Sequence, residues 1–591
     1  MKILFSHSFK DKLIKSVWKC IPHERKIDEG AIRARLDPSS SQLSEKHVSD
    51  SEETPAIYEI RDEAGRKWWK IFDEFEFRLQ DNSNKNRKWY HWFEPTDTPT
   101  ERKLLFKLDL ILCFFAFTMY WVKYLDQTNL NNAYVSGMKE DLGMKGNDLV
   151  NTQSIYTVGA IVFHLPFMYL IHKYPTNYLL PAMDVGWGLF TLAIFKAKNT
   201  SQLQVFRFFV GAFESAFYPT INYILGSWYT PSEYARRAGI FYWGQMLGVL
   251  TAGLLQAAAF KNLHLVNGLE GWRWMFIIDA IITFPIGIIG IWALPGIPAK
   301  CYSVFLTDEE IYLGRERLRR LKINVEDDSN TFFTLKLWKD MLSKWNFWLF
   351  TLVNVFSWNN SSASSGSYIL WLKSLERFST VKVNQLSTLL PALGILWILL
   401  TSSIADLLRS RWGAIIFSQT LNVIGNVILA IWDVPESAKW FAFMLQYFGQ
   451  PVFPVNFGWM GDSMRDHPQQ RAIITMSMNM WGQVSTAWIS LLVWKTVEAP
   501  RYLKGYIFTT CCAFMVMVIC TIILILYKRD ERARAAENGI YLYNSAKGEP
   551  RPVILSSAKN GNEVLVVHNH DDAEKKEEFV VVRERNREGG K

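Results

Sequence analysis

The sequence is poor in charge and lacks the motifs that carry covalent or nucleotide chemistry. Asp, Glu, Lys and Arg make up 20% of its 591 residues, too few to solvate the several soluble domains that this length would otherwise imply. There is no Gly-x-x-x-x-Gly-Lys-[Ser/Thr] loop and no soluble stretch long enough to house one, which excludes a nucleotide-driven machine of that design. There is no metal-spaced Cys/His cluster and no Gly-x-Ser-x-Gly elbow, so neither an enzyme nor a metal or other cofactor is expected. Cysteines number six: Cys113, Cys511, Cys512 and Cys520 fall inside apolar runs, Cys20 lies in the front tail and Cys301 follows a run, so no exposed pair offers a disulfide framework. The opening MKILFSHSFKDKLIKSVWK has too short an apolar core and too many later lysines to be expected as a cleaved signal peptide.

What the sequence has in excess is apolar and aromatic surface. Hydrophobic residues reach 49% and aromatic ones 15%, with 25 Trp and 39 Phe, more than a soluble core needs. A helix rising 1.5 Å per residue needs about 20 apolar residues to cross the hydrocarbon core. Twelve such runs, bounded by charge, fall at 104–125, 150–171, 177–196, 203–226, 236–260, 272–295, 346–371, 384–405, 412–432, 438–459, 473–494 and 506–527. The expected fold is therefore an all-α membrane protein of twelve transmembrane helices in two six-helix bundles. The expected organisation is an N-terminal tail over 1–103, a bundle over 104–295, a central loop over 296–345, a second bundle over 346–527 and a C-terminal tail over 528–591.

The net charge of +9 comes largely from basic segments flanking apolar runs, a pattern that fits topology better than nucleic-acid binding. The central loop with RERLRRLK at Arg315 to Lys322, the entry Glu101-Arg102-Lys103 and the exit Tyr527 to Arg532 are all basic. An even span count puts all three on one side, so both tails are expected to be cytoplasmic. The tails themselves are expected to be largely disordered or surface-lying. Arg61 to Arg78, RDEAGRKWWKIFDEFEFR, suits either an interfacial helix or a solvated linker.

Ionisable groups inside spans are costly, and each is by default a functional hypothesis. Nearly all lie in the first half: Lys107, Asp109, Lys123 and Asp126 in span one, His164 in span two, Asp184 in span three, Arg207 and Glu214 in span four, and Asp279 in span six. Arg207 and Glu214 are seven apart and share a helix face. With span four running inward, Arg207 comes level with Asp126, and a pair between them is expected. Arg207 then either attracts a substrate anion or only staples helix ends. Glu214 near mid-membrane either exchanges a proton or makes a structural hydrogen bond, and His164 either titrates in the working range or simply packs. Asp184 and Asp279 lie nearer helix ends, while Lys107 and Lys123 are expected to snorkel to the interface. The second half is mostly neutral and offers Asn359, Asn360, Ser361 and Ser362 in span seven with Asn479 and Gln483 in span eleven, which suit hydrogen-bonding selectivity. The sequon Asn199-Thr200-Ser201 is expected to sit too close to the membrane for glycosylation.

YLDQTNLNNA at Tyr124 to Ala133, RFFVGAFE at Arg207 to Glu214, GWRW at Gly271 to Trp274 and FLTDEE at Phe305 to Glu310 resemble the anion:cation symporters of the major facilitator superfamily. Within that family the likeness, which runs from about Arg61 to Tyr543, is to the fungal allantoate permease branch, nearest its members linked to ethionine sulfoxide sensitivity. The resemblance implies two bundles around a central cavity, alternating access and uptake of a small carboxylate with protons at the plasma membrane, working as a monomer. The implied partners are a small-molecule substrate, protons and the lipid bilayer, with no nucleic acid. Substrate-binding or coupling candidates are then Asp126, Asn129, His164, Arg207, Glu214, Asp279, Asn359, Asn360 and Gln483. The family pattern has Arg at Gln127 and Glu at both His164 and Asp279. The superfamily loop motif is reduced to His172-Lys173-Tyr174-Pro175 after span two and survives better at Ala405 to Arg411, which makes Asp406 and Arg409 gating candidates. Implied substrates are allantoate, ureidosuccinate, dipeptides or sulfoxide amino acids, with biotin or pantothenate as the alternative. A uniporter or exporter, and a non-transporting nutrient receptor, are the competing classes.

Overall fold

The computed structural model describes residues 22–36, 59–78, 92–93, 97–215, 217–320, 335–361, 365–464, 468–549, 553–556, 563–567 and 578–582. Among these the helices follow the twelve predicted spans in order. The first is Pro99–Leu108, a π turn at Asp109–Cys113, and Phe114–Ala133. Next come Asp148–Lys173, Thr176–Ile194, Thr200–Glu214 with Phe217–Trp228, Pro231–Leu263 and Gly271–Ala293. The second half has Trp345–Trp358 with Ser367–Ser374, Thr380–Leu386 with Leu389–Leu408, Arg411–Ile431, Glu436–Gln446 with Val452–Ser463, Pro468–Val493 and Leu503–Ala533.

The starts of these helices are written in local chemistry. Thr98 and Thr230 each form a capping box with the glutamate three residues on, followed by a proline at the first helical position. Asn199 of the sequon is the N-cap of span four, its side chain accepting from Gln202 N at 2.9 Å. Spans two and four cross at paired glycines. A Cβ on Gly159 would lie 2.1 Å from the Phe208 carbonyl oxygen, and one on Gly211 would lie 2.0 Å from that of Tyr156, so only hydrogen fits at the crossing.

Among the described residues, six helical stretches are long and apolar enough to cross a membrane by themselves: 99–141, 239–263, 271–293, 380–405, 411–431 and 503–533. Among the described residues, spans seven and ten are broken. Span seven stops at Asn359 and resumes after Gly366, which sits at φ 69°, while span ten yields at Gly449-Gln450-Pro451. Freed backbone groups at such depth must find partners on neighbouring helices.

The chain separates into two compact units, residues 1–35, 98–403 and 415–519 in one, and 36–97, 404–414 and 520–591 in the other. The first has a large apolar cluster at the ends of spans one and seven remote from the entry at Thr98, including Leu130, Tyr134, Trp272, Tyr368, Trp371, Phe443, Trp494 and Tyr506. The central loop, read as polar linker, carries helices Asp308–Arg320 and Leu335–Leu342. The first of these is pinned by ion pairs of Glu310 to Lys107 at 2.6 Å, Arg317 to Glu233 at 2.6 Å and Arg315 to Glu29 at 2.8 Å.

The second unit corrects the expectation for the tails. Arg61 to Arg78 is not one helix: strand β1, Glu59–Asp62, is followed by a short 3-10 helix, Trp68–Phe72. β1 pairs in parallel with β2, Ile540–Tyr543, in register from Glu59 with Ile540 to Asp62 with Tyr543. Phe77, Ala535 and Ile540 form a small core beside them. Farther on, Val553–Ser556, Glu563–Val567 and Glu578–Val582 form an antiparallel sheet, β3 to β5, in a tail expected to be largely disordered or surface-lying.

Candidate functional site

The ionisable residues of the first half converge on one buried network. Arg207 of span four places Nη1 3.4 Å from Asp126 Oδ1 of span one, with only 2% and 1% of the two side chains exposed. Thr191 of span three donates to the other Asp126 oxygen at 2.7 Å. The Arg207 guanidinium lies over the Tyr156 ring, 4.8 Å from its centre, a cation–π contact that holds the fork flat. The Tyr156 hydroxyl donates to Glu214 Oε2, and the Gln127 amide reaches both Tyr156 and Glu214, the latter at 3.1 Å. Arg207 and Glu214, seven residues apart, are therefore linked through one tyrosine of span two. Beside them the Asn129 amide donates to Asp279 Oδ2 of span six, and Asp279 is buried.

Several polar atoms here have no hydrogen-bond partner among the described residues: Arg207 Nε, Glu214 Oε1 and Asp279 Oδ1. Such groups, buried and unsatisfied, are costly unless a ligand or proton completes them.

Lys123 departs from expectation. It does not snorkel: it is buried, its Nζ donates to the Glu214 carbonyl at 3.3 Å and sits 5.9 Å from the Phe217 ring centre. Lys107 instead pairs with Glu310, and Asp109 pairs with Arg237 of span five at 2.8 Å. His164 and Asp184 are also buried, and no hydrogen bond joins either side chain to Arg207, Asp126 or the Glu214 carboxylate.

In the second half the candidates divide. Asn359 donates to the Val355 carbonyl at 2.8 Å and to Ser485 Oγ of span eleven at 2.7 Å. Asn360 donates to Gln419 Oε1 of span nine at 2.9 Å and begins a ladder of buried amides. In that ladder Asn422 donates to the Asn360 carbonyl at 3.1 Å, Asn426 to Asn422 at 3.0 Å and Gln446 to Asn426 at 2.6 Å. Gln419 also reaches the Phe448 carbonyl at 3.4 Å, so a carbonyl at each break, in spans seven and ten, is bonded from span nine. Gln483 is half-buried and its side chain joins neither group. Ser362 and the Asp406 side chain lie outside the described residues. Arg409 has a positive φ of 52° and pairs with Asp73 at 3.7 Å.

Sequence reasoning missed Tyr156, Thr191 and Arg237, and missed the Gln419, Asn422 and Asn426 stripe. The last had a readable signal, because polar amides at spacings of three and four share a helix face.

Residues 116–490 match the family described as Major Facilitator Superfamily. The chain is similar to the Vitamin H transporter of Saccharomyces cerevisiae, 46% identical over 502 residues that cover 84% of this chain and 85% of that protein. It is 32% identical over 441 residues to the Pantothenate transporter liz1 of Schizosaccharomyces pombe, covering 73% of this chain and 84% of that one. A solved POT family transporter in complex with 5-aminolevulinic acid shares the fold at a TM-score of 0.50, with 14% identity, 72% of this chain and 96% of that one covered.

Proposed function

This chain belongs to the Major Facilitator Superfamily as a multi-pass secondary transporter rather than an enzyme, and on that premise we propose that it imports a small organic carboxylate of the biotin class together with protons. The observation that carries the reading is the buried Arg207–Asp126 pair joined through Tyr156 to Glu214. Arg207 is a planar fork suited to a carboxylate, and its Nε has no partner. A carboxylate arriving from solution competes with Asp126 for the guanidinium, and Asp126 released from it keeps the Thr191 hydroxyl as its donor.

Charge balance supports the coupling. Four buried carboxylates, Asp126, Asp184, Glu214 and Asp279, face two buried cations, Arg207 and Lys123. Leaving two extra charges in a low-dielectric core costs several kcal/mol per ion, about the effective penalty after relaxation, so the network is suited to hold protons. Glu214, touching Tyr156 and Gln127 with one oxygen and nothing with the other, is the carboxyl we assign to proton exchange. Asn359 and Asn360 then act by shaping the break in span seven, and Arg409 acts as a gating residue.

Biotin comes first and pantothenate second because relatives bearing those names are similar over most of the chain. Allantoate, ureidosuccinate and sulfoxide amino acids are the next class, carried by the likeness to the allantoate permease branch. The plasma membrane is the proposed location, with both tails cytoplasmic and the monomer as the working unit. The test is uptake of radiolabelled biotin, pantothenate, allantoate, ureidosuccinate and methionine sulfoxide into cells lacking their own carriers, with and without a protonophore. Biotin accumulation that collapses with the gradient is the expected result. Accumulation that survives the protonophore overturns proton coupling, and uptake of another compound in place of biotin overturns the substrate class.

A further inference from the structure

The segment after β1 presents an exposed run, Ala64-Gly65-Arg66-Lys67-Trp68-Trp69-Lys70, in which Trp68 is 75% and Trp69 49% exposed. Two adjacent indoles left in water are a poor arrangement for a soluble tail, and their surroundings say what covers them. Trp68 meets Phe72 edge-on with ring centres 5.9 Å apart, and Phe72 stacks on Trp412 at 4.8 Å. Trp412 is the second residue of Arg411–Ile431, one of the helices able to cross a membrane alone, so this ladder of rings starts where a span leaves the bilayer. Trp412 is also fixed to span twelve, donating to Thr521 Oγ1 at 3.0 Å.

The plate is held rigidly. Buried Glu76 accepts from Arg66 at 3.0 Å and from Lys528 at 2.5 Å, and Glu74 accepts from the Trp412 backbone N–H at 2.9 Å. Two lysines flank the indoles. Lys67 lies 4.9 Å from the Trp69 ring centre, and Lys70, nearly half-exposed, pairs with Asp73 at 3.8 Å. Indole rings favour the headgroup level, and lysines are drawn to an anionic leaflet.

We infer that Trp68 and Trp69, flanked by Lys67 and Lys70, form a preformed foot that inserts into the anionic headgroup layer of the leaflet on the side of the tails. Because β1, Glu76 and Trp412 fix the foot beforehand, insertion orders little further chain. The foot seats the segment between β1 and the last span against lipid, so the bilayer is a structural partner of this unit.

The test uses the full chain in nanodiscs holding one copy each, with Cys20 and Cys511 replaced by Ser and Ala64→Cys carrying a polarity-sensitive fluorophore. Nitroxide lipids labelled at the headgroup should quench it, more strongly when phosphatidylserine is present, while a label at Ala546→Cys stays unquenched. Trp68→Ala with Trp69→Ala should abolish the quenching, and Lys67→Gln with Lys70→Gln should abolish only its dependence on phosphatidylserine. Both variant pairs are on exposed side chains, and an unchanged melting temperature confirms the fold. Quenching at Ala64→Cys no greater than at Ala546→Cys, quenching indifferent to loss of both indoles, or quenching only in discs holding two copies overturns the proposal.

Discussion

Replacing Arg207 separates a working residue from a structural staple. With both partners of the pair buried, Arg207→Ala leaves the Asp126 carboxylate without its cation, and breaking one side of a buried pair costs about 3–5 kcal/mol. That cost alone would lower expression and stability, so loss of uptake in the single variant is ambiguous. Adding Asp126→Asn removes the stranded charge. Replacing both members of such a pair is often close to neutral, so the double variant should recover most of the stability. It should not recover transport. A charge-assisted hydrogen bond to a substrate carboxylate is worth about 1.5–3 kcal/mol, which puts its loss at about ten- to hundredfold in uptake affinity. The assay is initial uptake of radiolabelled biotin against concentration, beside surface biotinylation and the melting temperature of detergent-purified protein. Wild-type uptake in Arg207→Ala with Asp126→Asn would refute the assignment and leave the pair as a staple. Arg207→Lys should fall between, since it keeps the charge but loses the fork over Tyr156.

Glu214→Gln should keep exchange of labelled for unlabelled substrate across the membrane while losing uphill accumulation; retained accumulation counts against Glu214 as the proton-carrying group. Gly211→Ala drives a methyl to 2.0 Å from the Tyr156 carbonyl oxygen, and because backbone cannot swing aside it should abolish surface expression or lower stability by at least the about 1–3 kcal/mol of an overpacked core, read by thermal melts. Burial pushes the Glu76 carboxyl up, but its hydrogen bonds from Arg66 and Lys528 outweigh this and hold it below the ordinary 4.5. A lowered carboxyl stabilises the fold above its unfolded value and loses that contribution as pH falls through the folded one. Hydrogen exchange over 59–78 should therefore stay slow at neutral pH and accelerate only below 4.5, whereas Glu76→Gln should accelerate it at neutral pH.

The twelve spans and the Arg207–Asp126 pair were legible because both rest on simple geometry: the length of apolar runs, a seven-residue helical repeat, and the alternating direction of successive spans. Lys123 was misread for a physical reason. A span drawn over 104–125 puts Lys123 at its end, with water in reach, whereas the helix begins at Pro99 and continues through Ala133, which leaves that ammonium deep in the packed helix. The capping box at Thr230 was the signal that span five starts before 236, while Arg237, already inside the run 236–260, was passed over as an ionisable group opposite Asp109. Tyr156 and Thr191 carry no mark in sequence, because a neutral hydroxyl in an apolar helix becomes part of a site only through what the neighbouring helices bring to it. The tail strands were hidden by their brevity, since four residues such as Glu59–Asp62 show no period and gain stability only from a partner nearly five hundred positions away.

That distant partner makes β1 one of the last elements able to form. A ribosome releases Glu59–Asp62 before the first span exists, while Ile540–Tyr543 emerges only after the twelfth has been made. Two segments that pair side by side must share one face of the membrane, so the zipper closes only on chains that have threaded an even number of times. Its loop closure is long and its formation hence late. A nascent chain stalled or mis-threaded anywhere between carries an unpaired strand edge near its front, the kind of exposed template that aggregates and invites quality control.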